Sequence, residues 1–277
     1  GKELAEMYDM FASGAIAFSD GINAVQSAGV LLKALQYVKS FEGTVIQVPD
    51  DTGIGTNGLM NEGIISTQMG LPGKPTMAEE LMVARDIKLA RYAGSKLHFA
   101  GISSPKSLEY IKRAKEGGIR VTCSIAPYQV YFCDEDLQDY DSNLKLNPPV
   151  RSRADMMMIR HALLDGTIDC VASHHLPQHW DNKTCEFEYA KPGMIGLETM
   201  FAVLTECGLP AEDFVQMQTV NVRNIFSLPV PEIKEGETAS LTLFIPNTEF
   251  VFDGSIIHSK SKNTPFIGKK LKGKVIG

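Results

Sequence analysis

Lys96-Leu97-His98-Phe99-Ala100-Gly101-Ile102-Ser103-Ser104, then Leu108, Ile111 and Ala114 at helical spacing, then Gly117-Gly118 and Arg120-Val121-Thr122-Cys123-Ser124-Ile125: residues 96–125 read as strand, loop, helix, strand. The two flanking runs are short, apolar and partly β-branched, as in strands buried on both faces. The segment between them repeats its apolar residues every three or four positions and closes on a glycine pair. Such a unit joins parallel strands through a right-handed helical crossover. The same texture extends outward. Further strands are expected at Ala15-Ile16-Ala17-Phe18, Thr44-Val45-Ile46-Gln47-Val48 and Ile168-Asp169-Cys170-Val171-Ala172. A helix is expected from Thr76, where Thr76-Met77-Ala78-Glu79 has capping-box spacing, to Gly94, and another from about Ala154 to Leu164. The fold class is α/β.

In parallel α/β folds chemistry sits on the loops that leave the carboxyl ends of the strands. Here those loops are Ser19-Asp20-Gly21, Pro49-Asp50-Asp51, Gly101-Ile102-Ser103, Pro127-Tyr128-Gln129 and Ser173-His174-His175. Near Pro229 the texture changes, which divides the chain into an α/β unit over 1–228 and a small β appendage over 229–277. In the appendage, Leu241–Ile245 and Glu249–Phe252 read as strands joined at Pro246-Asn247, and Gly273-Lys274-Val275-Ile276 begins another.

With 277 residues, 44% hydrophobic and 22% charged, the chain can bury a full core as one large or two small domains, which excludes disorder, collagen and coiled coil. A net charge of −6 argues against nucleic acid or an anionic membrane as main partner. No apolar run approaches the ~18 residues of a membrane span. The chain opens on Gly1-Lys2-Glu3 without a signal peptide, as a trimmed or partial sequence would. Cys123, Cys133, Cys170, Cys185 and Cys207 lack metal or disulfide spacing and read as free thiols in the cytoplasm.

Three of the six histidines cluster in His174-His175-Leu176-Pro177-Gln178-His179. Zinc accepts imidazole, but a site needs three or four donors converging from several strands, and no other strand end offers a histidine. His98, inside a strand, reads as a satisfied core residue, and His161, beside Met157 and Met158, reads as structural. Asp20, Asp50 and Asp51 are the acidic groups at the other strand ends. Carboxylates there commonly cap turns.

Seven segments in register resemble dihydroorotase, the cyclic amidohydrolase of pyrimidine biosynthesis, in its larger, aspartate-bridged type. They are Phe18-Ser19-Asp20-Gly21, Met60-Asn61-Glu62-Gly63, Leu71-Pro72-Gly73-Lys74-Pro75 leading into Ala78-Glu79-Glu80, Leu144 to Arg151, Asp165 to Asp169, Gly196-Leu197-Glu198-Thr199 and Asn263-Thr264-Pro265-Phe266. The resemblance implies strands four to eight of a (β/α)8 TIM-type barrel plus part of a small β-sandwich. The family's first strand, with its His-x-His metal ligands and substrate arginine, has no counterpart here. A longer native polypeptide, or a bound missing piece, is therefore expected, because five strands leave two bare edges.

The family's zinc activates water and an aspartate shuttles the proton. Position by position, the resemblance implies that this machinery is dismantled. Asp20 remains as a possible metal-bridge remnant, but Gly21 replaces the adjacent aspartate. Val48 stands at the fifth-strand histidine and Gly101 at the sixth-strand histidine. Pro127-Tyr128-Gln129 replaces Pro-His-His, and His174 stands at the catalytic aspartate. No catalytic residue and no metal ligand set is intact on this reading, and no cofactor is expected. Asn147 and His175 match family residues that contact dihydroorotate, and Pro192-Gly193 matches a loop over the ring. Alternatively, Asn147 serves only the Asn-Pro-Pro turn and His175 only packing.

Three functions follow from the resemblance. The first is a zinc-free scaffold or partner subunit, assembling with aspartate transcarbamoylase or with itself. The second is an active dihydroorotase whose zinc ligands lie partly in the missing segment. The third is a non-catalytic module that binds a small pyrimidine precursor.

Overall fold

The computed structural model describes residues 1–236 and 238–277. Its centre is an arc of five parallel strands: β1 (Ala17–Ser19), β2 (Thr44–Gln47), β5 (Lys96–Phe99), β6 (Val121–Ile125) and β7 (Cys170–Val171), in that spatial order. They are the five strands expected from sequence, each trimmed or shifted by one or two residues. Between β2 and β5 the chain adds a short parallel pair, β3 (Met60–Asn61) and β4 (Gly73–Lys74). Neighbouring strands are adjacent in the chain, so the sheet grows in one direction, as a barrel wall does.

Helices α1 (Met7–Ala12), α2 (Ala28–Lys39), α3 (Ile64–Met69), α4 (Met77–Ala93), α5 (Pro105–Glu116) and α6 (Arg153–Leu164) connect these strands. Their ends follow local chemistry. The Ser104 hydroxyl accepts from the Lys106 amide at the start of α5, and the Ser152 hydroxyl accepts from the Asp155 amide at the start of α6. Gly94 closes α4 in the left-handed region at φ 65°. In α5 the buried stripe is Ser107, Leu108, Ile111 and Ala114, which packs on the outer face of the sheet.

One expected cap is absent. Thr76 makes no side-chain capping bond: its backbone is already helical, φ −59° and ψ −29°, and not in the extended form of an N-cap. The buried Glu79 carboxylate accepts from the Ser103 amide at 3.1 Å, the Ser104 amide at 2.9 Å and the Ser103 hydroxyl. Arg151 completes the cluster, with its guanidinium 3.6 Å from Glu79 and donating to Ser103 Oγ at 2.9 Å and Asn61 Oδ1 at 3.2 Å. Asn61 in turn donates to Asp134 at 3.1 Å. The loop after β5, the start of α4, β3 and the segment before α6 are thereby fixed to one another at the carboxyl ends of the strands.

The carboxyl-terminal appendage departs from its expected form. A single strand, β8 (Phe244–Val251), runs straight through Pro246-Asn247 and pairs antiparallel with β9 (Lys270–Val275). The ladder is interrupted between Ile245 and Glu249. Proline is tolerated in such a strand where its missing donor falls at an edge or an irregularity. The hairpin packs on α7 (Met200–Glu206), where the Phe201 and Phe244 rings lie 4.8 Å apart. Beneath the loops a second apolar core gathers Met60, Leu146, Met194, Ile195, Phe252 and Phe266.

The Glu79–Arg151 pair carries a stability prediction. Both side chains are 3% exposed, so removing one partner strands a buried charge. Arg151→Ala is expected to cost about 3–5 kcal/mol in urea denaturation, and a loss below ~1 kcal/mol would contradict this account.

Candidate ligand cavity and the dihydroorotase positions

At the carboxyl ends of the strands lies a cavity of about 150 Å³ whose walls include Tyr128, Asn147, His174, His175, Pro192 and Gly193. The four expected substrate-side residues, 147, 175, 192 and 193, therefore meet in one place, together with the residue at the expected catalytic position. Asp20 and Val48 are not among the lining residues.

His174 follows β7 with a left-handed backbone, φ 45°, a conformation that costs a non-glycine residue of order 1 kcal/mol or more. That twist turns its ring towards Gly101, at the end of β5. A Cβ built on Gly101 would lie 3.0 Å from His174 Nε2 and closer still to Cε1. The ring of His174 thus fills the space into which any side chain at position 101 would project. Gly101 itself has φ 75°, which favours glycine independently. Tyr128 meets the His174 ring edge-on at 6.3 Å. Enclosure by these groups pushes the His174 pKa down to about 4, so the ring is neutral near pH 7.

His175 faces the other way. Its Nδ1 accepts from the Gly196 amide at 3.2 Å and the Leu197 amide at 3.4 Å. Two backbone donors on Nδ1 require the neutral ring to carry its proton on Nε2. Asn147 is held by residues beyond the cavity. Its Oδ1 accepts from Lys74 Nζ at 2.7 Å, and its Nδ2 donates to Asp50 Oδ2 at 3.2 Å. Lys74 and Asp50 are themselves an ion pair at 2.6 Å. Sequence reasoning missed this triad, whose members stand 24 and 73 positions apart. The only signals were that Lys74 lies in one family-like motif and that Asp50 follows β2.

The other positions of interest are equally committed. Val48 lines a minute hollow beside Asp50, Lys74 and Asn147. Gln129 uses its amide on the backbone, accepting from the Ala126 amide at 2.7 Å and donating to the Gly101 carbonyl at 3.2 Å. Asp20 is half-exposed on the loop after β1, in a different hollow. His98 is a satisfied core residue, as its strand position implied, with ring nitrogens 2.9 Å from Thr122 Oγ1 and 3.1 Å from Ser124 Oγ. His161 is exposed on α6, 3.6 Å from Asp165, and makes no core contact. His179 is exposed beside Asp181. Asp51 caps its own turn through the Gly53 and Ile54 amides. All five cysteines are free thiols.

Comparison with known proteins bears on this arrangement. The family model described as "Dihydro-orotase-like" matches residues 1–107. A dihydroorotase of Syntrophus aciditrophicus is 41% identical over 280 residues, covering 100% of this chain and 66% of that protein. One of Pelotomaculum thermopropionicum is 40% identical over 279 residues, covering 99% of this chain and 65% of that protein. The chain belongs to the dihydroorotase-like family.

Solved structures agree on the fold of this dihydroorotase-like chain. An L-hydantoinase (dihydropyrimidinase) from Arthrobacter aurescens superposes with a TM-score of 0.81 at 20% identity, covering 98% of this chain and 64% of the other. A D-hydantoinase (dihydropyrimidinase) from Thermus sp. gives 0.82 at 16% identity, covering 99% and 66%. The five-strand arc is thus the matching portion of a TIM-type amidohydrolase barrel. The chain spans about two thirds of the length of the dihydroorotases it matches, 66% and 65%. No helix among the described residues is long and apolar enough to cross a membrane.

At the positions where the resemblance places zinc ligands, the residues of this chain supply few donors. Zinc takes three or four nitrogen, sulfur or carboxylate donors in tetrahedral array. Val48 and Gly101 offer none, Gln129 is spent on the backbone, and the His174 ring stands where the ligand at 101 would reach. Among the described residues, no group of three or more His, Cys, Asp or Glu side chains is placed to hold a metal.

Burial of His98 and His174 sets an acid limit on stability. Each folded-state pKa is lowered from 6.5 to about 4, chiefly by desolvation. Their contribution is fully present above pH ~6.5 and is lost as pH falls from there through ~4, because only the unfolded chain then takes up the protons. Asp86, raised to about 6 by burial, works in the opposite direction below that pH. Between about pH 7 and pH 5 the fully enclosed His98 alone is expected to forfeit on the order of 2 kcal/mol. Urea midpoints for His98→Gln should fall less steeply over that window than those of the parent chain. Equal slopes would contradict the assignment.

Proposed function

We propose that this chain is a zinc-free, non-catalytic member of the dihydroorotase-like family, retained in pyrimidine biosynthesis as a scaffold or partner subunit. The observation that carries the reading is the contact between His174 and Gly101. Dihydroorotate hydrolysis in this family calls for imidazole at the sixth-strand position and carboxylate at the eighth. Here the first is glycine, the second is histidine, and the ring of the second occupies the room of the first. A neutral imidazole in that place cannot serve as the carboxylate base in the same geometry. The Glu79–Arg151 cluster, which builds the wall, is intact, so the scaffold persists where the chemistry has gone. Proposed partners are aspartate transcarbamoylase or a second copy of this chain.

A second reading has its own support. Relatives near 40% identity over the whole chain carry the name dihydroorotase, which favours an active hydrolase whose zinc ligands come partly from outside the portion that this chain matches. The two readings separate in one assay on the full-length native polypeptide. Protein incubated with zinc and dialysed is tested for metal content and for interconversion of dihydroorotate and N-carbamoyl aspartate. The proposal expects less than about a tenth of an equivalent of zinc and no turnover above the zinc-free control. One or two equivalents with turnover would replace it by the hydrolase reading.

A further inference from the structure

A larger cleft, about 860 Å³, opens beside the cavity between the loop 177–184 and the segment 259–263. Its volume lies in the range of small-molecule sites. The two loops are pinned to each other. Asn263 donates to the Leu176 carbonyl at 3.1 Å and the Gly193 carbonyl at 3.0 Å, and its Oδ1 accepts from the Gln178 amide at 3.2 Å. The cleft is therefore built into the fold.

Its lining is one-sided in charge. Lys183, Lys260 and Lys262 are among its lining residues, and no Asp or Glu is among the described residues that line it. That is unexpected in a chain of net charge −6. Lys183 is buried, with Nζ donating to the Ser142 carbonyl at 2.7 Å and no carboxylate in ion-pair contact. Lys262 rests on the carbonyls of Gly254 at 3.2 Å and Ile257 at 3.0 Å. Of the acids around it, Asp181 lies 3.3 Å from His179, Asp141 caps the Asn143 amide at 2.9 Å, and Glu198 accepts from the Ser259 amide at 3.1 Å with its second oxygen buried and unpartnered. Burial lowers the Lys183 pKa to about 8, against a partial offset from the charge of Asp141. At the cleft wall stands Trp180, 72% exposed and the only tryptophan in the chain. Its exposed indole offers a planar face on which a ring can stack.

We propose that this cleft is a binding site for a planar-ring polyanion of the nucleotide class, with the Lys183, Lys260 and Lys262 ammonium groups on its phosphates and the Trp180 indole against its base. The site shares no residue with the cavity around His174, so it stands whichever reading of the hydrolytic site holds.

Trp180 is its own reporter. Titrating the native chain with ADP, and separately with inorganic pyrophosphate, should give saturable changes in tryptophan emission, with ADP tighter by at least ~5-fold. The exposed substitution Lys260→Glu and the buried one Lys183→Met should each weaken both ligands about tenfold or more. By calorimetry, Trp180→Phe should weaken ADP while leaving pyrophosphate unchanged, which a merely structural tryptophan would not do. Emission that changes linearly without saturation, or binding indifferent to Lys260→Glu, would overturn the site. Equal affinity for ADP and pyrophosphate would overturn the assignment of the base to Trp180.

Discussion

The carboxylate of Glu79 is the point on which the loop architecture hangs. It sits on the first turn of α4 yet spends its hydrogen bonds on two backbone amides and a hydroxyl of the loop after β5, and it faces a guanidinium from the segment before α6. A buried carboxylate is tolerable only when its lone pairs are filled and a counter-charge is near, and both conditions are met here by residues far apart in the chain. Through Arg151 the cluster reaches Asn61 and the Lys74 carbonyl, and through the Lys74 side chain it reaches Asp50 and Asn147. The rim of the cavity is thus one connected polar scaffold over an apolar floor.

Upon that scaffold the strand ends contact one another. Gln129 holds the Gly101 carbonyl, His174 covers Gly101, and His175 secures the Gly196 turn. Most of these polar groups have partners in the protein, while Asp50 Oδ1 is buried without one and the His174 and His175 rings line the cavity. The cleft beside it is lined by three lysines and no Asp or Glu among the described residues, with the exposed Trp180 indole at its wall.

Much of this was legible in the residues. Strand positions, the glycine stop at Gly94, the serine cap at Ser104 and the buried face of α5 are local signals, and local signals survive folding when tertiary demands agree with them. The register of the family motifs likewise exposed Val48, Gly101 and His174 as departures, and it named the four residues that meet in the cavity. Some features were not legible. The Thr76 cap did not form because Thr76 already has helical backbone angles, and β8 ran through Pro246 because its ladder tolerates an interruption there. The Asp50–Lys74–Asn147 triad and the closeness of His174 to Gly101 had no sequence signature, since each is a consequence of strands meeting in space.

The central claim is that His174 occupies the ligand space of position 101, and a double-mutant cycle tests it most directly. Gly101→Ala, His174→Gly and the double variant are compared by urea denaturation of the same chain. Left-handed strain at position 101 is common to both backgrounds and cancels, leaving the contact itself. The account predicts that alanine at 101 is markedly less costly once the ring at 174 is gone, with a coupling of about 1 kcal/mol or more. Costs that add within ~0.3 kcal/mol would show that the ring does not fill that space, and would contradict the closed metal seat.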